Sequence, residues 1–140
     1  MNFLLDTCVI SELTKAKPNQ TVVDWVVGQD ASRCFISSIT LGEIQKGIRK
    51  LPDSAKKNDL QTWLDRDLRE RFSGRTIAIA ANEAQEWGRI FAAVEAQGKP
   101  MPLVDSLIAA TAVFHDMTLV TRNTRDVAAS GVTLFDPWNP

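Results

Sequence analysis

Four acids and one amide hold most of the chemistry this sequence can offer. Asp6, Glu43, Asp105, Asn123 and Asp126 each stand where an apolar run ends or a helical pattern begins. Asp6 closes the run Phe3-Leu4-Leu5. Glu43 follows the second apolar run, three residues after Thr40. Asp105 lies three residues after Pro102, in the first turn of a helix of small residues. Asn123 and Asp126 follow the run ending at Val120. Carboxylates gathered within a few ångströms repel one another, so either some protonate or a cation holds them together. An all-oxygen donor set without His or Cys suits Mg²⁺, or Mn²⁺ in its place. Such an ion takes one or two carboxylates, keeps waters, and leaves room for a phosphate. The matching chemistry is phosphodiester hydrolysis by metal-activated water.

Each residue also has a structural explanation. Asp6 is a good helix N-cap. Thr40-x-x-Glu43 is a capping box and Asn123-x-x-Asp126 a looser one. Asp105 favours a helix N-terminus through the macrodipole. No rival catalytic set competes. His115 is the single histidine, there is no glycine-rich phosphate loop, and Cys8 stands two residues after Asp6, where an aspartyl-phosphate enzyme needs a second acid.

The elements that must carry these groups alternate. Strands are expected at residues 3–5, 33–37, 76–79 and 117–120, with a last edge strand at 133–135. Helical patterns begin near residues 9, 21, 44, 53, 82 and 103 and fill the intervals. Residues 14–20 read as a loop, and Thr124 to Asp126 as a turn with a short helix. This alternation implies one α/β domain spanning residues 1–140, with a central parallel sheet of four to five strands and helices on both faces. The first, second and fourth junctions then share the carboxyl edge of the sheet, where open sheets place ligands. Asp105 joins them if its helix starts at that edge.

Bulk properties narrow the class without deciding it. The chain has 140 residues, 44% of them hydrophobic, and a net charge of −1. Any attraction for nucleic acid must therefore be local. Lys46 and Lys50 share a helical face with Glu43, and Arg122 flanks the fourth junction, so these three are the expected phosphate contacts. Cys8 and Cys34 match no metal-ligand spacing and read as reduced, small hydrophobes. No apolar stretch approaches about 18 residues, so no membrane span is expected. The chain enters a strand directly after Met1, and a cytoplasmic location is the default.

These motifs occur together in a known family. The segment from Leu4 to Glu12, that from Ser37 to Glu43, the run Asp105-Ser106-Leu107-Ile108-Ala109-Ala110, the run Thr121-Arg122-Asn123-Thr124-Arg125-Asp126 and the closing Asp136-Pro137-Trp138 resemble the PIN-domain ribonucleases. Within that family the chain is similar to VapC-type toxins of the FitB-like branch. The resemblance implies a Mg²⁺-dependent endoribonuclease, the toxin of a bacterial toxin–antitoxin pair. It also implies a homodimer held inactive by a cognate VapB-like antitoxin. By position, Asp6, Glu43 and Asp105 become the core acids and metal ligands, and Asn123 takes the place of a fourth acid. Thr7, Thr121 and Asp126 are expected around them, ordering waters and ligands. Hydrolysis by water predicts products with a 5′-phosphate and a 3′-hydroxyl. Cys8 stands where the family usually has Asn. That departure and Asn123 leave one alternative, a catalytically inactive PIN scaffold that binds RNA or a protein partner. Trp25 and residues 15–18 are expected to border the antitoxin groove.

Overall fold

β1 (Phe3–Leu5) is the centre of the sheet. Successive strand side chains point to opposite faces, and both leucines of β1 are enclosed, Leu4 at 0% and Leu5 at 1% exposure. Leu4 packs with Ile90, Val94, Ile108 and Leu119. Leu5 packs with Val9, Ile10, Val22, Ile36 and Val120. A three-residue strand thus seeds two cores, which explains its unbroken apolar character.

The computed structural model describes residues 1–140. After β1 come α1 (Thr7–Leu13) and α2 (Gln20–Val27), a 3-10 turn, then β2 (Cys34–Ser37) and α3 (Ser38–Arg49). α4 (Ala55–Thr62) runs on through a π-helical segment, Trp63–Leu68, into α5 (Arg69–Arg71). β3 (Thr76–Ile77), α6 (Ala81–Ala96) and α7 (Leu103–Phe114) follow. The chain finishes with β4 (Thr118–Val120), α8 (Thr124–Val127), a second 3-10 turn and β5 (Leu134–Phe135). All pairings are parallel, in the order β3-β2-β1-β4-β5. This is the expected α/β sheet, at the upper end of the expected strand number. α6 and α7 cover the Leu4 face, while α1, α2 and the Trp63–Leu68 segment cover the other.

Strand order reverses between β1 and β4, which opens a crevice beyond their carboxyl ends. The register sets Leu5 opposite Val120. The next residues of the two strands, Asp6 and Thr121, therefore meet at the floor of that crevice. α7 lies close to the sheet because Ala109, Ala110 and Ala112, all at 0% exposure, let the backbones approach. Trp87 Nε1 of α6 donates to Ser106 Oγ of α7 at 2.9 Å. At the far end of this helix pair, His115 Nε2 lies 2.7 Å from Glu83 Oε2, a structural role for the single histidine.

Several boundaries differ from the sequence reading, most by one or two residues, and three of them have a clear local cause. α3 begins at Ser38, because Ser37 Oγ accepts the Ile39 N–H at 3.0 Å. Thr40 is then inside the helix and the Thr40–Glu43 capping box does not form. β3 stops at Ile77, two residues early, as the chain turns into α6, where the Ala80 N–H donates to Glu83 Oε1. β4 starts at Thr118, since the Met117 N–H still bonds to Ala112 O at the end of α7.

Candidate active site

Asp6 is the N-cap of α1, and its Oδ1 accepts the Thr7 N–H at 2.8 Å. The capping reading is therefore correct, and it occupies only one oxygen. The other, Oδ2, accepts the Thr121 hydroxyl at 2.7 Å, across 115 positions of sequence. Asp6 itself is 6% exposed and Thr121 is 1% exposed, so this contact is dry. The Asn123 N–H donates to Thr121 Oγ1 at 3.0 Å, which turns the hydroxyl proton towards Asp6. The Cys8 thiol completes the cluster, with Sγ 3.7 Å from Asp6 Oδ2 and 3.6 Å from Thr121 Oγ1. Burial and the Asp6 charge push the Cys8 thiol up to about 11, so it is protonated and unreactive at neutral pH.

Thr7 ties the first junction to the second. Its hydroxyl donates to Glu43 Oε1 at 2.5 Å and also lies 3.0 Å from Thr40 Oγ1. Glu43 is reached because β2 pairs with β1 in parallel and α3 rises from the same edge. Asp105 stands in the first turn of α7, after Pro102 at the N-cap. Its carboxyl is pushed up to about 6, first by burial and then by the charges of Asp6, Glu43 and Asp126. That influence puts all four acids in one electrostatic neighbourhood. None of them takes part in the chain's ion pairs, which join Glu12 to Lys15, Asp53 to Lys57, Glu86 to Arg89 and Glu83 to His115.

Asn123 precedes α8 at its N-cap and Asp126 lies in its first turn. Asn123 makes no side-chain cap, so the looser capping box is also absent and its amide is not spent on the helix. Lys46 and Lys50 line an open groove of about 520 Å³, with Glu43 and Val104, the neighbour of Asp105, also in its walls. Arg122 and Asp126 border a separate polar hollow beside the site. Trp25 stacks on Phe135 at 5.0 Å and meets Phe3 edge-on at 5.1 Å. The largest hollow, about 660 Å³, runs between α1 and the helix from α4 to α5, with Ile10, Leu13, Leu60 and Trp63 in its walls. Neither Trp25 nor residues 15–18 border it.

The donor set fits a hard divalent cation. It is all oxygen, it carries excess negative charge, and no lysine or arginine neutralises it. No three of the His, Cys, Asp and Glu side chains close into a cage.

Residues 3–130 match the family model described as PIN domain. Among curated relatives, VapC ribonuclease Y4jK of Sinorhizobium fredii is 31% identical over 98% of both chains. Toxin FitB of Neisseria gonorrhoeae is 35% identical over 97% of this chain and 98% of its own. The crystal structure of FitAcB from Neisseria gonorrhoeae superposes with a TM-score of 0.94, at 34% identity, covering 99% of each chain.

Proposed function

This chain belongs to the PIN-domain family, and from there we propose that it is a metal-dependent endoribonuclease, the toxin of a toxin–antitoxin pair. The observation that carries this reading is Asp105. Its carboxyl is raised by burial and by the charges of Asp6, Glu43 and Asp126, Thr121 and Thr7 hold the Asp6 and Glu43 carboxylates beside it, and none of the four is in an ion pair; a cluster of acids held this way favours a cation. The names of the curated relatives, a ribonuclease and a toxin, support the substrate and the setting. Full-length coverage at about this identity extends that support to the whole chain.

Asp6 and Asp105 are the residues to hold Mg²⁺, with Glu43 contributing directly or through water. When bound, the ion neutralises charge growing on the phosphate and makes water a better nucleophile at neutral pH. The chain's own part is orientation. Thr121 fixes the rotation of the Asp6 carboxylate, and Thr7 does the same for Glu43. Asn123, without a negative charge, accepts or donates a hydrogen bond at the crevice edge. Asp126 adds charge to the cluster. Lys46, Lys50 and Arg122 supply phosphate contacts on either side of the acids. The 2′-hydroxyl has no role in such a reaction, so the products carry a 5′-phosphate and a 3′-hydroxyl. The partners that follow are RNA, a second copy of the chain and a VapB-like antitoxin, and the cytoplasm is where they meet. The hollow between α1 and the α4–α5 helix, where Ile10, Leu13, Leu60 and Trp63 alternate with charged residues such as Lys56, Asp59 and Arg71, is the seat we assign to the antitoxin.

The test is cleavage of RNA by purified, antitoxin-free protein, comparing wild type with Asp105→Asn in Mg²⁺ and in EDTA. Cutting by wild type alone, and only with metal, is the expected result. Cutting that persists in the variant or in EDTA refutes the site. Metal binding without any cutting points to the inactive scaffold.

A further inference from the structure

The closing run Asp136-Pro137-Trp138 has no part in the acid cluster, yet it reaches the edge of the site. Trp138 packs against the core on the Leu5 side of the sheet. Its N–H donates to Asp136 Oδ1 at 2.8 Å, which fixes the turn. Its ring lies beneath the Arg122 guanidinium, with Cζ 5.2 Å from the ring centroid. Arg122 directly follows Thr121, the residue that holds Asp6. The stack therefore sits one residue from the crevice floor.

Arg122 borders a hollow of about 360 Å³ whose walls are entirely polar, with Asn123, Thr124 and Arg125 beside it. Asp126 and Asp136 also line this hollow. Even so, neither arginine forms an ion pair, since the chain's ion pairs all lie elsewhere. Arg122 is exposed, and a free arginine side chain on a surface samples many rotamers. Stacking on an indole removes much of that freedom while leaving the N–H fork unspent. A fixed fork with no carboxylate partner matches a phosphate, which it can hold by two parallel hydrogen bonds.

We propose that Trp138 is a positioning residue for Arg122, and that the stacked guanidinium with its polar hollow is the subsite for a non-scissile phosphate of single-stranded RNA. In the sheet, β1 with Asp6 stands between β2, which leads to the Lys46–Lys50 helix, and β4, which leads to Arg122, so the subsite and the Lys46–Lys50 groove flank the acids. This deepens the ribonuclease reading and rests on it.

The experiment uses the full chain and a single-stranded RNA oligonucleotide, with kcat and KM measured at several salt concentrations. The variants are Arg122→Ala, Trp138→Leu, Trp138→Phe and the double variant Arg122→Ala with Trp138→Leu. Leu keeps the apolar packing of Trp138 without a π face, and Phe keeps both. Arg122→Ala is expected to raise KM about tenfold or more and to reduce the salt slope by about 0.7. Trp138→Leu raises KM about two- to fivefold, with kcat little changed, and Trp138→Phe returns KM most of the way to wild type. The double variant is no worse than Arg122→Ala alone. An effect of Trp138→Leu on kcat only, equal KM values for Leu and Phe, or a double effect that is the product of the singles overturns the proposal while leaving the ribonuclease reading intact. Should Trp138→Leu not fold, Arg122→Lys decides, because it keeps the charge and loses the planar stack; a wild-type KM in that variant overturns the proposal. A wild-type chain that neither binds nor cuts RNA overturns the ribonuclease reading, and the subsite with it.

Discussion

Asp105→Asn should make the metal-free protein more stable while removing its response to metal. The Asp105 carboxyl rises from an ordinary 3.8 to about 6 through burial and the charges of Asp6, Glu43 and Asp126. An acid whose pKa is higher in the folded chain binds more protons when folded. Stability therefore falls as pH rises from about 4, and the whole penalty is present once pH exceeds about 6. A rise of that size corresponds to about 3 kcal/mol. Asp105 keeps some contact with water, so screening reduces the figure to about 1–2 kcal/mol. Asn also gives up a favourable interaction with the N-terminus of α7, about 0.5 kcal/mol. The net gain is about 1 kcal/mol at pH 7.5, or a Tm about 4 °C higher for a chain of this size. By pH 4.5 the gain shrinks to about one-third, because the wild-type carboxyl is by then protonated in the folded state. The assay is thermal unfolding of both proteins in EDTA at the two pH values, repeated with Mg²⁺. Metal should raise the wild-type Tm and leave the variant unmoved, reversing their order. A variant that is less stable than wild type at pH 7.5 in EDTA, or equally stabilised at both pH values, refutes the reasoning.

Thr121→Val removes the hydroxyl that donates to Asp6 Oδ2; it should cost about 1–3 kcal/mol in urea unfolding and weaken Mn²⁺ binding about 10–100-fold by calorimetry, with Thr121→Ser restoring both. Because the Cys8 thiol is pushed up to about 11, alkylation followed by mass spectrometry should be slow at pH 8 and accelerate only well above pH 9; fast labelling at pH 7 would show that the Asp6 charge and burial do not govern it. Ile108→Ala, at a position 1% exposed beneath Leu4, should destabilise the fold by about 2–5 kcal/mol in denaturant unfolding, more than any change among the exposed lysines. Lys46→Ala with Lys50→Ala, in the groove beside Glu43, should flatten the salt dependence of RNA affinity by about 0.7 for each lysine that truly contacts phosphate, and an unchanged slope would remove that groove from the RNA path.

Local pattern was enough to place β1, because three apolar residues with no polar member, two of them fully enclosed, have few alternatives to a central parallel strand. α7 was legible to the residue, from Leu103 to Phe114, since Pro102 starts it and a run of small residues marks its buried face. The acids were legible too, as polar groups at the ends of apolar runs. Where two local rules competed, sequence was a poorer guide. Ser37 and Thr40 are both good caps, and only the end of the β2 ladder selected Ser37. The same competition made Thr40–Glu43 look like a capping box, when Glu43 is in fact held by Thr7, across 36 positions.

The sequence by itself determined the layered α/β class and singled out the oxygen-bearing side chains proposed for the site. These depend on hydrophobic period and side-chain chemistry, which are properties of short stretches. Tertiary structure alone decided which hydroxyl serves which carboxylate, that Asp105 shares its field with three other acids, and that Arg122 rests on Trp138. Such contacts depend on strand register and on where helices return to the sheet edge. A parallel register that pairs Leu5 with Val120 brings Thr121 to Asp6; a slip of one residue would point Thr121 to the other face of the sheet.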